Sequence, residues 1–206
     1  MCVRSLKKGR NKRDKKEQII EDYNLTSHFY DQRYAHIQYE KFAYLVSCSS
    51  LSNKIILDAG CGTGLLLDYI ENAVNKSCIN DFVFVAIDIS WNMLQEFKIK
   101  LELDKSILKH IDQLILADIE NLPLREDSFH IIFSLTALQN LQFLKKGIME
   151  LHRVGKNDAD LNLSILKKKL DFNELEQVLK SISRNIVITN KDELEDVIIK
   201  SLLLKK

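Results

Sequence analysis

A chain of 206 residues, 46% hydrophobic and 29% charged, suits one α/β domain with a sizeable core, and its formal net charge of +1 excludes a global field aimed at nucleic acid. The four cysteines, Cys2, Cys48, Cys61 and Cys78, are scattered without a C-x-x-C pair, which excludes zinc-ligand spacing and a dense disulfide framework. There is no run of 18 apolar residues and no leader with an apolar middle, so no membrane span is expected and a reducing cytoplasm is the expected location.

Residues 1–16 hold eight basic side chains, Arg4 to Lys16, against Asp14, a balance of +7. They read as a solvated, flexible tail, and residues 17–206 as a single domain. "EQIIEDYNLTSHFYDQRYAHIQYEKFAYLVS" predicts a helical lead-in over about 17–48, in two pieces meeting near Asn24. "KIILDAG" is a short apolar run ending in a turn, hence a buried strand, and "TGLLLDYIENAVN" an amphipathic helix. "FVFVAIDIS" predicts a second strand, and "WNMLQEFKIKLEL" a helix with Ser90 as its N-cap. "QLILADI" and "FHIIFSLTAL" predict strands three and four, "LQFLKKGIMELHRV" a helix ending at Gly155, and "ADLNLSIL" a fifth strand. A helix over "DFNELEQVLKSIS" and strands over "NIVITN" and "DVIIKSLLL" complete the chain. Strands alternating with helices, and strands apolar throughout, imply a mostly parallel sheet covered on both faces.

In such sheets ligands sit beyond the carboxyl ends of the strands, where the strand order reverses. Three successive strands deliver an acid to that edge: Asp58, Asp88 and Asp118. Asp58 precedes a turn, Gly60-Cys61-Gly62-Thr63-Gly64, that lets a ligand approach the main chain. A dinucleotide fingerprint uses similar parts, but position 65 is Leu and Asp58 would oppose a pyrophosphate, which disfavours a nicotinamide-dependent oxidoreductase. The residues suit a ligand with a cationic end near Asp58, a diol near Asp88 and a ring amine near Asp118.

"ILDAGCGTG", "VAIDIS" and "ADIENLPLREDSFHIIFSLTALQNL" together resemble the class I S-adenosylmethionine-dependent methyltransferases, type 11 among them, in order and spacing from about residue 26 to the C-terminus. S-adenosylmethionine carries all three features. The resemblance implies a Rossmann-like, seven-stranded sheet whose last strand is antiparallel. It also implies that Asp58, Gly60, Cys61, Gly62 and Gly64 hold the methionine part, Asp88 the ribose hydroxyls and Ile89 the adenine face. Asp118 and the Ile119 N–H would meet the adenine edge, and Ser134 and Leu135 would floor the sulfonium. In the lead-in, Tyr30 and Arg33 fall within about one turn of Tyr34; Arg33 is a candidate for the methionine carboxylate. "R-x-x-x-I-Q" with "LTALQNL" is further similar to small-subunit ribosomal RNA guanine-N7 methyltransferases, which implies a small zinc-binding activator protein as partner.

No metal is expected, because His28, His36, His110, His130 and His152 lack metal spacing. No catalytic acid or base is assigned: in-line displacement from a sulfonium needs none when the acceptor offers a lone pair. The methyl acceptor stays open between an RNA base, toward which the basic tail would add phosphate affinity, and a small molecule. A noncatalytic S-adenosylmethionine-binding protein is the other reading.

Overall fold

The β-branched and aromatic runs form strands and the periodic segments between them form helices, in a computed structural model that describes residues 15–46, 51–73, 82–104, 110–169 and 172–205. The basic residues 1–14, Cys2, Cys48 and Cys78 lie outside the described residues. The strands are β1 (Ile55–Ala59), β2 (Val83–Asp88), β3 (Ile111–Leu116), β4 (Phe129–Leu135), β5 (Gly155–Leu166), β6 (Ser183–Thr189) and β7 (Asp196–Leu203). The helices are α1 (Lys15–Leu45), α2 (Leu65–Ala73), α3 (Trp91–Leu103), α4 (Leu144–Val154) and α5 (Phe172–Ile182).

The sheet runs β3-β2-β1-β4-β5-β7-β6. β1 pairs in parallel with β2 and β4, β3 joins β2 and β5 joins β4 in parallel, while β7 runs antiparallel to both β5 and β6. This is the expected seven-stranded Rossmann-like sheet with an antiparallel last strand. The order reverses beside β1, so a crevice opens between the carboxyl ends of β1 and β4.

Side chains alternate across the sheet. Leu57, Ile132 and Leu161 face α4 and α5 and form one core with Ile148, Leu151 and Leu179. Ile56, Phe84 and Ile131 face the opposite way and pack with Phe42 of α1, Leu67 of α2 and Phe97 of α3. Each such buried side chain contributes about 1.5–3 kcal/mol.

Several boundaries differ from the sequence reading. α1 is one uninterrupted helix rather than two pieces meeting near Asn24. No glycine or proline interrupts it, and the Asn24 side chain, which could have competed for its own backbone, is engaged elsewhere. Asn24 Oδ1 accepts from Ser90 Oγ at 2.7 Å and from the Asn92 N–H at 3.1 Å. α1 also begins at Lys15, so Lys15 and Lys16 belong to it and not to the tail. Gly155 ends α4, its N–H reaching the Leu151 carbonyl, and opens β5, which starts earlier than "ADLNLSIL". Ser90 caps α3 as expected, accepting from the Met93 N–H at 3.2 Å. No described helix is long and apolar enough to cross a membrane.

Candidate active site

The turn after β1 is folded back against β2: the Gly60 and Cys61 N–H groups both donate to the Ile87 carbonyl, at 2.8 and 2.9 Å. Gly60 has φ +86°, and a Cβ there would lie 2.4 Å from Ala137 Cβ, so both the angle and the close approach require glycine. The Gly62 N–H donates to Asp88 Oδ2 and the Ser90 N–H to Asp88 Oδ1, both at 2.8 Å. Asp88 thereby ties the turn after β1 to the start of α3. Asp118 Oδ1 accepts from the Glu120 N–H at 2.9 Å and opens a short 3-10 turn, Ile119–Asn121.

Between these loops and the overlying α1 lies a cleft in two adjoining lobes that share Tyr30, Gly60, Gly62 and Leu135. The larger lobe is mostly apolar, as small-molecule sites commonly are. Asp88, Ile89, Asp118 and Ile119 line it, with Tyr23 and Asn140. The smaller, about 330 Å³, is lined by Asp58, Cys61, Thr63 and Gln38. Three residues named from the sequence stand outside both lobes. Gly64 lies against α3, where a Cβ would meet the Phe97 ring at 2.3 Å. Ser134 is fully buried and its hydroxyl donates to the Ala59 carbonyl at 2.9 Å. Arg33 is exposed, with its guanidinium 5.3 Å from the centre of the Tyr34 ring.

The sequence reading missed several contributors, all placed by long-range packing. Lys16, in the first turn of α1, reaches Asp118 Oδ2 at 2.5 Å and Glu120 Oε2 at 3.2 Å. Tyr23 receives the Asn140 side-chain N–H on its hydroxyl at 2.9 Å. Thr136, directly after β4, has φ +56°, strained for a β-branched residue. Its Oγ1 accepts from Lys41 Nζ at 2.7 Å and donates to Asp196 Oδ2 at 2.9 Å, and its carbonyl accepts from Gln139 Nε2 at 2.5 Å. Gln139, like Gln38 in the smaller lobe, had a sequence signal, the paired "I-Q" and "LQN" stretches; Lys16 and Tyr23 had none.

Burial dominates the electrostatics. It pushes the Asp58 carboxyl up to about 8, with the charge of Asp88 adding to the effect. No hydrogen bond or ion pair to Asp58 occurs among the described residues, although it is only 2% exposed. Burial also raises Asp88, against which the N–H groups of Ser90, Gly62 and Ile89 pull downward. The Cys61 thiol is pushed well up by burial, then by the two acids, so it is a poor nucleophile. Among the described residues no group of three His, Cys, Asp or Glu side chains is arranged to hold a metal ion. A buried carboxylate without a partner is costly, and its cost falls when a cation enters the lobe. The cleft therefore fits an elongated ligand, cationic at the Asp58 end and offering hydroxyl and amine donors toward Asp88 and Asp118.

A family model described as a methyltransferase domain matches residues 57–162. A malonyl-[acyl-carrier protein] O-methyltransferase from Hamiltonella defensa is 29% identical over 152 residues, covering 73% of this chain and 53% of that protein. A tRNA (carboxymethyluridine(34)-5-O)-methyltransferase from Arabidopsis thaliana is 34% identical over 135 residues, covering 64% of this chain and 28% of that protein. The chain thus spans about half the length, or less, of the curated relatives it matches. Among solved structures, magnesium protoporphyrin IX methyltransferase from Synechocystis with bound SAM superposes with a TM-score of 0.70 at 18% identity, over 95% of this chain and all of that one.

Proposed function

Because the chain belongs to the methyltransferase-domain family, of the class I S-adenosylmethionine-dependent kind, we propose that it transfers a methyl group from S-adenosylmethionine to an acceptor by in-line displacement. The observation that carries this reading is the partnerless buried Asp58, in one cleft with Asp88 and Asp118. The cofactor brings a methyl group on a cationic sulfur and leaves as its neutral thioether, S-adenosylhomocysteine. Asp58 is the countercharge to its ammonium group, Asp88 accepts from the ribose hydroxyls, and Asp118 accepts from the adenine amine. Ile89 and Ile119 supply apolar faces for the base, while Leu135, Thr136 and Ala137 line the cleft beyond β4. The protein's work is alignment, which is worth on the order of 7–11 kcal/mol when the reacting atoms are held in line.

The acceptor proposed is an RNA base. The basic residues 1–16 run into the first turn of α1, where Lys15 Nζ bonds the Leu141 carbonyl at 2.6 Å and Lys16 meets Asp118. Lys15 and Lys16 thereby bring positive charge to the rim of the cleft. A small-molecule acceptor is the second reading, favoured by the cover that α1 lays over the cleft. A small zinc-binding activator protein is the partner proposed with the RNA reading. The exposed Trp91 and Leu116, beside the edge strand β3, offer it apolar surface.

Two measurements test this. S-adenosylhomocysteine should raise the melting temperature where NAD does not, since only a ligand of the folded state stabilises it; Asp88→Ala should abolish most of that shift. Tritium from labelled cofactor should enter the RNA fraction of a cell extract. Label confined to small molecules would establish the second reading, and a wild-type chain indifferent to S-adenosylhomocysteine would overturn both.

A further inference from the structure

The smaller lobe of the cleft contains two buried groups that accept hydrogen bonds and have too few donors. One is the Asp58 carboxylate, without a partner among the described residues. The other is Gln38, 6% exposed, whose Oε1 is buried with no hydrogen-bond partner. Gln38 lies on the inward face of α1, with Lys41, Phe42 and Leu45 three, four and seven residues further on. Its Nε2 is held between two hydroxyls, Tyr30 Oη at 3.4 Å and Thr136 Oγ1 at 3.5 Å. That tether leaves the carbonyl oxygen as the end with capacity to spare.

Among the described residues no side chain donates a hydrogen bond to Gln38 Oε1 or to the Asp58 carboxylate. Lys41, the closest cation along the helix, is committed to Thr136 Oγ1 and to Asp196 Oδ2. Cys61 directs its weak donor to the Gly62 carbonyl at 3.7 Å. A ligand carboxylate entering this lobe would add acceptors and repel both groups. An ammonium brings three donors and a positive charge.

We propose that Gln38 is a specificity-determining residue for the cofactor: its Oε1 accepts one N–H of the α-ammonium group of S-adenosylmethionine while Asp58 supplies the countercharge. The assignment rests on the cofactor reading above and adds a ligand from the covering helix to it. It also explains why Gln38 is tied to Tyr30 and Thr136. The same side chain that reads the ammonium joins α1 to the loop after β4, so the amino-acid half of the cofactor holds the cover in place.

The test is calorimetric binding to the full chain, wild type and two variants, with three nucleosides: S-adenosylhomocysteine, its desamino analogue and 5′-methylthioadenosine. Gln38→Met, similar in volume and without the oxygen, should weaken S-adenosylhomocysteine about tenfold to a hundredfold, the range of a hydrogen bond to a charged group. The other two ligands should lose less than about twofold, because neither carries the ammonium. Gln38→Glu keeps an acceptor and adds charge, so it should bind S-adenosylhomocysteine at least as tightly as wild type and prefer it more strongly over the desamino analogue. This second variant carries the test if Gln38→Met does not fold. Equal losses for S-adenosylhomocysteine and its desamino analogue, or no change in preference with Gln38→Glu, overturn the assignment of Gln38 alone. Failure of all three nucleosides to bind the wild-type chain overturns the cofactor reading and the assignment with it.

Discussion

Lys16 and Asp118 meet at 2.5 Å, the first turn of the covering helix against the loop that leaves β3. Burial pulls the Lys16 ammonium down, but its hydrogen bonds to Asp118 and Glu120 outweigh that and the net shift is upward. The oxygen it holds is the one that Asp118 would offer to an adenine amine, since the other accepts from the Glu120 N–H. A ligand must therefore share Oδ2 with Lys16 or displace it. Lys16→Met should tighten S-adenosylhomocysteine by about twofold to fivefold, as expected from a partly exposed ion pair worth roughly 0.2–1 kcal/mol. Calorimetric titration at low and high salt measures it; weaker binding by the variant would mean that Lys16 is part of the site rather than a competitor.

Asp58 makes both stability and binding depend on pH. In the folded chain its carboxyl is pushed up to about 8 by burial and by Asp88, whereas in the unfolded chain it titrates near ~3.9. The folded state therefore keeps a proton that the unfolded state loses. The stabilisation is fully present below the unfolded value and is lost as pH rises through the folded one. Asp58→Asn, which cannot titrate, should gain stability relative to wild type between about pH 4 and about pH 8, measured by urea unfolding at several pH values. An ammonium needs Asp58 charged. S-adenosylhomocysteine should accordingly bind more tightly as pH rises toward about 8 and release a proton near neutrality. The release is visible as a buffer-dependent binding enthalpy, which Asp58→Asn should lose.

Lys41 and Asp196 form an ion pair at 3.1 Å, with side chains 2% and 0% exposed. Burial lowers the Lys41 ammonium, with the charge and hydrogen bond of Asp196 opposing that. Asp196 Oδ1 is already buried without a partner. Lys41→Met should cost about 3–5 kcal/mol, because it strands a buried carboxylate. The double variant Lys41→Met, Asp196→Leu should recover most of that loss. Urea unfolding of both proteins decides the matter: a double variant as unstable as the single one would show that the packing of Lys41, and not its charge, is what matters. The same pair anchors Thr136 in its left-handed conformation, so the single variant should also disturb the loop that carries Ala137 and Asn140.

What the chain itself determined is the order and type of the elements and the acids at their ends. Strand and helix periodicity are local properties, and Asp58, Asp88 and Asp118 follow apolar runs whose burial leaves their polar ends nowhere else to go. The two-piece reading of α1 failed for a non-local reason, because Asn24 finds its partners on α3 rather than on its own backbone. Which side chains of α1 reach the cleft was decided only by packing. Arg33 and Gln38 are five residues apart, which at 3.6 residues per turn separates them by roughly 140° around the helix. Once Phe42 and Leu45 are buried against the sheet, Gln38 turns inward and Arg33 outward. Gly64 and Ser134 have similar histories: both neighbour the crevice in sequence, and Phe97 and the Ala59 carbonyl claim them. Periodicity along a chain says that a helix has faces, but the fit of one face against distant strands chooses which of them the ligand will meet.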